Sequence, residues 1–133
     1  MDDFRNGKVL LDVPAGGGAF DRSLLERFGH PVHVCGGPEP GERCPLLGRE
    51  GCEPFRQAHG IIFELDLDEP QHVAILLRYH ELAPDVPIRV VCRPDQAETY
   101  RELLAPFETW THYLTAADLD GFAAEVEAAD RFI

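Results

Sequence analysis

The chain has 133 residues, of which 44% are hydrophobic and 27% charged, a balance typical of one folded globular domain. Acidic residues number 24 against 12 Lys and Arg, giving a net charge of -12. Such a surface repels nucleic-acid phosphates and anionic lipids, so we expect no nucleic-acid or membrane partner. No apolar run resembles a secretion signal or a membrane helix, which predicts a cytoplasmic protein with reduced cysteines.

In the first part of the chain, short apolar runs alternate with a helical pattern. The predicted elements are a strand at Lys8–Val13, a helix capped by Asp21 that ends at Gly29, and a strand at Pro31–Cys35. Residues 36–59 then lose this periodicity and hold many glycines and prolines, with at most a short helix around Pro54–Ala58. An irregular segment of this length is unusual in a compact domain and is often functional.

The alternation resumes after this segment and continues to the end of the chain. The predicted elements are a strand at Ile61–Asp68, a helix from Pro70 to Leu82, a strand at Ile88–Cys92, a helix capped by Asp95, a strand at Thr109–Leu114 and a helix from Ala116 to about Phe132. Strands that alternate with helices predict an α/β fold, with a parallel sheet covered by helices on both faces. Right-handed crossovers favour a five-stranded, flavodoxin-like sheet of order 2-1-3-4-5, in a single domain over 1–133.

The third predicted strand ends in the sequence Asp66-Leu67-Asp68-Glu69-Pro70. Together with the order of strands and helices, this sequence resembles the receiver domain of bacterial response regulators. In that family a phospho-accepting aspartate ends the third strand and a proline stands four residues later, as Asp66 and Pro70 do here. The resemblance implies a receiver-like fold over nearly the whole chain and a phosphoacceptor-like role for Asp66. Without it, Asp66 and Asp68 are ordinary solvated residues at a strand end.

The other functional positions of the receiver family differ in this chain. Receivers hold Mg²⁺ with an acidic pair after the first strand, and carry a hydroxyl residue after the fourth strand and a lysine after the fifth. The corresponding residues here are Val13, Pro14 and Ala15 for the acidic pair, Cys92 for the hydroxyl residue and Thr115 for the lysine. Asp12 lies one position early, where strand alternation can turn it to the other face. This pattern predicts a degenerate receiver, or an unrelated domain of the same shape.

A glycine run joins the first strand to the first helix. Gly16, Gly17 and Gly18 lie at the carboxyl end of a strand, where exposed backbone amides and a helix amino terminus often bind phosphates. The run matches neither the dinucleotide fingerprint nor the nucleotide-triphosphate loop. Two interpretations therefore stay open, a flexible connection and an anion-binding turn.

Three cysteines fall in or beside the irregular segment. Cys35, Cys44 and Cys52, with His59 at the far end of the segment, have the composition of a closed Cys₃His zinc site. Cys44-Pro45 is also a pair found at some iron–sulfur ligands. Neither the zinc-finger nor the ferredoxin spacing is present, so free thiols and a Cys44–Cys52 disulfide remain alternatives. We expect Cys92 to be a small buried hydrophobic residue.

No complete catalytic motif is present, so we expect a non-enzymatic pseudo-receiver that regulates or scaffolds through protein contacts. The partner is another protein or a second copy of the chain. The resemblance places the contact surface near Thr109–Phe132, since receivers signal through their fourth helix, fifth strand and fifth helix. One alternative is a small redox, iron–sulfur or zinc protein using the cysteines. The other is a phospho-accepting receiver that uses Asp66, with Asp12 or Asp68 on Mg²⁺.

Overall fold

The computed structural model describes residues 7–14, 16–38, 42–48 and 51–130. Five parallel strands form one sheet in the order β2-β1-β3-β4-β5. Their bounds are β1 Val9–Asp12, β2 Val32–Cys35, β3 Gly60–Phe63, β4 Ile88–Val91 and β5 Glu108–Trp110. The predicted fold class and strand order are therefore confirmed.

Helices connect these strands. They are α1 Ala19–Arg27, α2 Glu53–Arg56, α3 Pro70–Leu82, α4 Pro94–Thr99, α5 Arg101–Leu104 and α6 Ala116–Asp130. A 3-10 helix at Pro45–Leu47 precedes α2, so the irregular segment contains two short helical turns. Among the described residues, no helix combines the length and the apolar character needed to cross a membrane.

Strand alternation gives the sheet an apolar core on each face. On one face, Leu10 packs with residues of α2, α3, α5 and the 3-10 helix, including Phe55, Leu76 and Leu104. On the other face, Leu11 packs with residues of α1 and α6. Burying each such side chain stabilises the fold by about 1.5–3 kcal/mol, and the two cores together hold helices against both faces of the sheet.

The last helix lies very close to the centre of the sheet. A Cβ atom at Gly60 would lie 2.5 Å from Cγ2 of Val126 and 3.0 Å from Cζ of Phe122. Any larger residue at the start of β3 would therefore push α6 outward. Because Gly60 has no side chain, α6 can pack directly on β1 and β3.

Several predicted element ends are wrong. β3 ends at Phe63 rather than Asp68, and β5 ends at Trp110 rather than Leu114, because the polar residues that follow turn into loops at the sheet edge. Two predicted caps are also wrong. The N-cap of α1 is Gly18, with φ of 86°, and that of α4 is Arg93, whose N–H donates to Oε1 of Gln96.

Candidate functional site

A cavity with a volume of about 880 Å³ lies at the carboxyl edge of the sheet. The loops that follow β1, β3, β4 and β5 surround it. Its polar side chains are Asp21, Glu64, Asp66, Cys92, Arg93, Gln96, Thr111 and His112, and two aromatic rings, Phe20 and Tyr113, also line it. This edge is where parallel α/β sheets bind ligands.

The residue that directly follows β3 is Glu64, not Asp66. Its N–H donates a 2.7 Å hydrogen bond to the carbonyl oxygen of Asp12, which continues the pairing of β3 with β1. The Oε2 atom of Glu64 is buried and bonds to no group in the described part of the chain. Burial raises the pKa of Glu64 to about 8, and the adjacent Asp21 carboxyl contributes to the increase. Burial and the neighbouring carboxyl group both favour the protonated form of Glu64.

Asp21 places a second carboxyl group in the same part of the cavity. It lies in the first turn of α1 and is only 6% exposed. Two carboxyl groups this close together favour sharing one proton, because ionising both adds repulsion to the cost of burial. Asp21 and Glu64 therefore place an acid pair, two neighbouring carboxyl groups, on the floor of the cavity.

Asp66 lies in the loop beyond Glu64 and is exposed. Its Oδ1 accepts hydrogen bonds from Nε2 of Gln96 at 2.7 Å and from the N–H of Asp68 at 3.0 Å. The amide of Gln96 is buried and comes from α4, so Asp66 is tied to the adjacent loop. Asp66 does line the cavity, as its predicted role requires, and its phosphorylation stays a prediction.

Asp68 belongs to a separate surface network. Its carboxylate accepts a 2.8 Å hydrogen bond from Tyr100 and pairs with Arg93 at 3.2 Å. The hydrogen bond from Tyr100 is the main reason that the pKa of Asp68 is lowered. Arg93 also pairs with Asp95 at 3.1 Å. These contacts leave Asp68 outside the cavity lining.

Asp12 points away from the cavity, into the core between the sheet and α3. It is 1% exposed, and its Oδ2 accepts a 2.6 Å hydrogen bond from the hydroxyl group of Tyr79. Burial raises the pKa of Asp12 to about 7, and the Tyr79 hydrogen bond opposes the increase. Strand alternation thus separates Asp12 from Glu64 and Asp66, so these residues do not form a Mg²⁺ site of the receiver type.

The residue after β4 is Cys92, as predicted, whereas the residue that β5 brings to the cavity is not the predicted Thr115. Cys92 follows β4 and lines the cavity, where burial raises the pKa of its thiol. Thr115 does not line the cavity, because its hydroxyl group accepts a 3.2 Å hydrogen bond from the N–H of Asp118 at the start of α6. The basic side chain that β5 brings to the cavity is His112, which lies 3.0 Å from the Asp118 carboxylate.

The glycine run forms a tight turn. Gly16 and Gly18 both have φ near +85°, a conformation that side chains disfavour, and the N–H of Gly17 bonds to the carbonyl oxygen of Pro14 at 2.9 Å. Of the three glycines, only Gly18 lines the cavity. Asp21 in the first turn of α1 opposes an anion there, so anion binding stays untested and the local charge argues against it.

The three loop cysteines all pack against the core that contains Leu10, and all are free thiols. Burial is the main cause of the raised pKa of Cys35 and of Cys44, and in each case a nearby Cys52 adds to the increase. Backbone amides donate to these sulfurs, from Gly37 to Cys35 and from residues 46 and 47 to Cys44. Across 7–14, 16–38, 42–48 and 51–130, however, no three His, Cys, Asp or Glu side chains form a group that could hold a metal ion.

His59 does not lie near this cysteine group. Cys35 is in register with the last residue of β1, whereas His59 precedes Gly60, which pairs with the first residue of β1. Three residues of strand separate the two positions by about 10 Å. The Nδ1 atom of His59 accepts a 3.0 Å hydrogen bond from the N–H of Lys8 at the amino edge. His59 is therefore not placed to complete a site with Cys35.

A different histidine lies at the same edge as the cysteines. Nδ1 of His72 donates a 2.8 Å hydrogen bond to the carbonyl oxygen of Asp66, which directs Nε2 away from that carbonyl group. Nε2 lies 3.4 Å from the position of a Cβ atom at Gly37, two residues after Cys35. Sequence spacing did not indicate His72, because α3 brings it to the cysteines only in the folded chain.

Sequence reasoning also missed the acid pair. The one signal in the sequence is Glu64, the acidic residue that directly follows the apolar run Ile61–Phe63. The spacing to Pro70 favours Asp66 instead. No sequence pattern predicts that Asp21 is buried, because its position at the start of a helix is typical of a solvated cap.

Comparison with known structures identifies the fold. No family model matches the sequence, and no curated protein matches it. A response-regulator receiver domain from Clostridium thermocellum superposes with a TM-score of 0.65 at 17% identity, covering 95% of each chain. The receiver domain of Francisella response regulator 1452 superposes with a TM-score of 0.62 at 15% identity, and the match covers 96% of this chain and 98% of that domain. A CheY-like receiver domain from Methanospirillum hungatei JF-1 superposes with a TM-score of 0.61 at 13% identity, and the match covers 95% of this chain and 97% of that domain. The chain therefore has the fold of a response-regulator receiver domain.

Proposed function

We propose that this chain is a pseudo-receiver, a regulatory module of the cytoplasm that acts through protein contacts without accepting a phosphoryl group. The observation that carries the proposal is the residue at the carboxyl end of β3. Glu64 stands there, with its Oε2 atom buried, and burial next to Asp21 raises its pKa and so favours its protonated form. A protonated carboxyl group is a poor ligand for Mg²⁺, which needs ionised oxygens.

The remaining acidic residues support the same proposal. Asp12 is bonded to Tyr79 on the far side of β1, and Val13, which follows it, is buried and apolar. Asp66 is held by Gln96. Phosphoryl transfer to a carboxylate needs a metal ion or other cations to neutralise the phosphoryl oxygens. Arg93, the arginine that lines the cavity, is already paired with Asp68 and Asp95.

Exposure to acetyl phosphate or to beryllium fluoride, each with Mg²⁺, tests this proposal. We expect intact-mass measurements to show no phosphoryl adduct, and amide spectra to be unchanged by beryllium fluoride. A phosphoryl adduct that disappears in Asp66→Asn would refute the proposal and establish Asp66 as a phosphoacceptor. Asp95→Asn, which alters an exposed carboxylate outside the cavity lining, is the matched control.

The proposed contact surface consists of β5, the loop 111–114 and the exposed side of α6. β5 is an edge strand with one partner, β4, and Tyr113 at the adjacent loop is 97% exposed. A photo-crosslinking residue at position 113 is expected to trap a defined protein partner or a second copy of the chain in cells. The same residue at Leu77, an exposed apolar position on α3, serves as the control, and equal products at both positions would contradict the proposed surface.

The cysteine group supports a second candidate function, a structural metal or cluster site that clips the irregular segment. Cys35, Cys44 and Cys52 pack on one core, and two of the sulfurs already accept backbone hydrogen bonds. The hydrogen bond from Nδ1 of His72 to Asp66 resembles the arrangement that orients histidine ligands. The side chains would have to draw together around the ion, since they are not gathered into a metal site here.

A further inference from the structure

The cavity at the carboxyl edge combines features that do not serve phosphoryl transfer. Its volume of about 880 Å³ falls in the range of small-molecule sites. Phe20, which is 54% exposed, and Tyr113 present aromatic rings at its opening, while Val91 and Leu114 add aliphatic surface. A ligand that fills this space therefore needs an apolar body.

The charge of the cavity specifies the polar part of such a ligand. Two of the lining side chains are basic, and both are already engaged, Arg93 by Asp68 and Asp95 and His112 by Asp118. The acid pair has no such partner among the described residues. Asp21 forms no ion pair there, and Oε2 of Glu64 is buried without a hydrogen bond. The cavity floor therefore carries two carboxyl groups that contact each other and that no basic side chain among the described residues pairs with.

We propose that this cavity binds a small organic ammonium compound, with the nitrogen on Asp21 and Glu64 and the apolar part between Phe20 and Tyr113. An ammonium group offers three N–H donors to the carboxyl oxygens, and these charge-assisted hydrogen bonds are about twice as strong as neutral ones. A bare divalent ion gains less here, because no three acidic or sulfur ligands within the described residues form a metal-holding group.

The release of a proton on binding provides a second test of the proposal. Because the pKa of Glu64 is raised, its carboxyl group releases a proton to buffer when the cation arrives, so affinity for the ammonium compound rises with pH through the range in which Glu64 titrates. The other ionisable groups that face the pair are Asp66 and Cys92, with Arg93 and His112 on the loops after β4 and β5. Variants of Glu64 distinguish the proton that Glu64 releases from any proton released by these other groups.

Three probes of similar shape and different charge test the proposal: 2-phenylethylammonium, 2-phenylethanol and phenylacetate. Binding is measured by titration of the amide spectrum and by calorimetry in buffers of different ionisation enthalpy, with no partner protein present. We expect the cation to bind roughly tenfold more tightly than the alcohol, which corresponds to one charge-assisted contact. Phenylacetate is expected to bind most weakly, and proton release is expected only with the cation.

Variants identify the groups responsible. The double variant Asp21→Asn with Glu64→Gln is expected to reduce affinity for the cation to that for the alcohol and to abolish proton release. Phe20→Ala is expected to weaken binding of the cation and of the alcohol equally. Asp120→Asn, on the exposed side of α6, is expected to change the affinity for neither probe. Because both Asn and Gln keep the size of the acids and remove a repulsion, these variants retain the fold, which a thermal melt verifies.

The proposal is overturned if the three probes bind equally, if phenylacetate binds most tightly, or if the cation fails to bind at millimolar concentration. Unchanged cation binding in the double variant overturns it as well. None of these results bears on phosphorylation of Asp66 or on a protein partner, so the pseudo-receiver proposal is tested separately.

Discussion

The hydroxyl group of Tyr79 donates a 2.6 Å hydrogen bond to Oδ2 of Asp12 and so joins α3 to the end of β1 inside the core. The Tyr79 ring stacks on Phe55, with centroids 5.0 Å apart, and meets Phe63 edge-on at 6.4 Å. The other carboxyl oxygen of Asp12 is buried without a hydrogen bond in the described part of the molecule. A polar pair is thus enclosed by aromatic rings beneath the cysteine group.

The Asp12 carboxyl group is expected to make stability depend on pH. Burial raises its folded pKa from 3.8 to about 7, so the folded state holds a proton that the unfolded chain releases earlier. The stabilising contribution is full below the unfolded pKa and is lost as pH rises through about 7, a total of about 4 kcal/mol. Urea unfolding of the wild type and of Asp12→Asn between pH 4 and pH 8 measures this loss of stability. Parallel curves for the two proteins would contradict the raised pKa.

Removal of the Tyr79 hydroxyl group is expected to destabilise the fold. Tyr79→Phe keeps both aromatic contacts but leaves Oδ2 of Asp12 without its donor, which costs about 1–3 kcal/mol. Chemical denaturation at pH 6 measures this loss. Tyr113→Phe removes the same atom from a side chain that is 97% exposed and is expected to change stability by less than about 0.5 kcal/mol. Similar effects at the two sites would show that the Asp12 contact is unimportant.

Arg89 is expected to hold β4, β5 and α6 together. Its guanidinium carbon lies 5.5 Å from the ring centroids of both Trp110 and Phe122, and the group pairs with Glu108 at 3.2 Å and also with Glu125. Replacing Arg89 with Ala removes this buried packing and the cation–π contacts, for an expected loss of about 1–3 kcal/mol.

The matched control for Arg89 is Arg101, whose side chain is 77% exposed and lies 3.8 Å from Glu98. Arg101→Ala is expected to be nearly neutral, since exposed ion pairs contribute about 0–1 kcal/mol. If Arg101→Ala costs as much as Arg89→Ala, the position between the two rings has no special importance.

Metal analysis tests the cysteine prediction. On protein purified both with and without oxygen, we expect near-stoichiometric zinc, or iron with sulfide and visible absorption, if Cys35, Cys44 and Cys52 bind a metal or cluster. Cys44→Ala is expected to lose the metal, and Cys92→Ala, at the cavity, to keep it. No metal in either preparation would leave the cysteines as free thiols.

Histidine variants separate the predicted ligand from the one that the structure favours. His72→Ala is expected to lower metal retention, because Nε2 of His72 lies beside the turn that follows Cys35. His59→Ala is expected to leave retention unchanged, because His59 is bonded to Lys8 at the opposite edge of the sheet. The reverse result would require the irregular segment to fold differently when metal is present.

The strand order could be predicted from the sequence because it depends on local patterns. Each short apolar run is followed by a helical pattern, and right-handed connections then allow few arrangements. The ends of the strands were less predictable, and here they matter most. An error of a few residues at the end of β3 exchanges Glu64 for Asp66 as the residue at the sheet edge.

Long-range placement was beyond sequence reasoning for a different reason. Asp21 and Glu64 come together only because the first turn of α1 folds over the end of β3. Likewise, His59 is close to Cys52 along the chain but lies at the other end of the sheet, whereas His72 is farther along the chain and lies at the right edge. Spacing along the chain does not indicate which end of a strand a residue reaches.

The loop after β5 links two parts of the molecule within a few residues. It lines the cavity through His112 and Tyr113, and the Asp118 carboxylate holds both the His112 ring and the N–H of Thr115 at the start of α6. A molecule that displaces His112 therefore removes one of the two contacts that Asp118 makes to this loop. One short loop thus joins the wall of the cavity to the start of α6, through the carboxylate of Asp118.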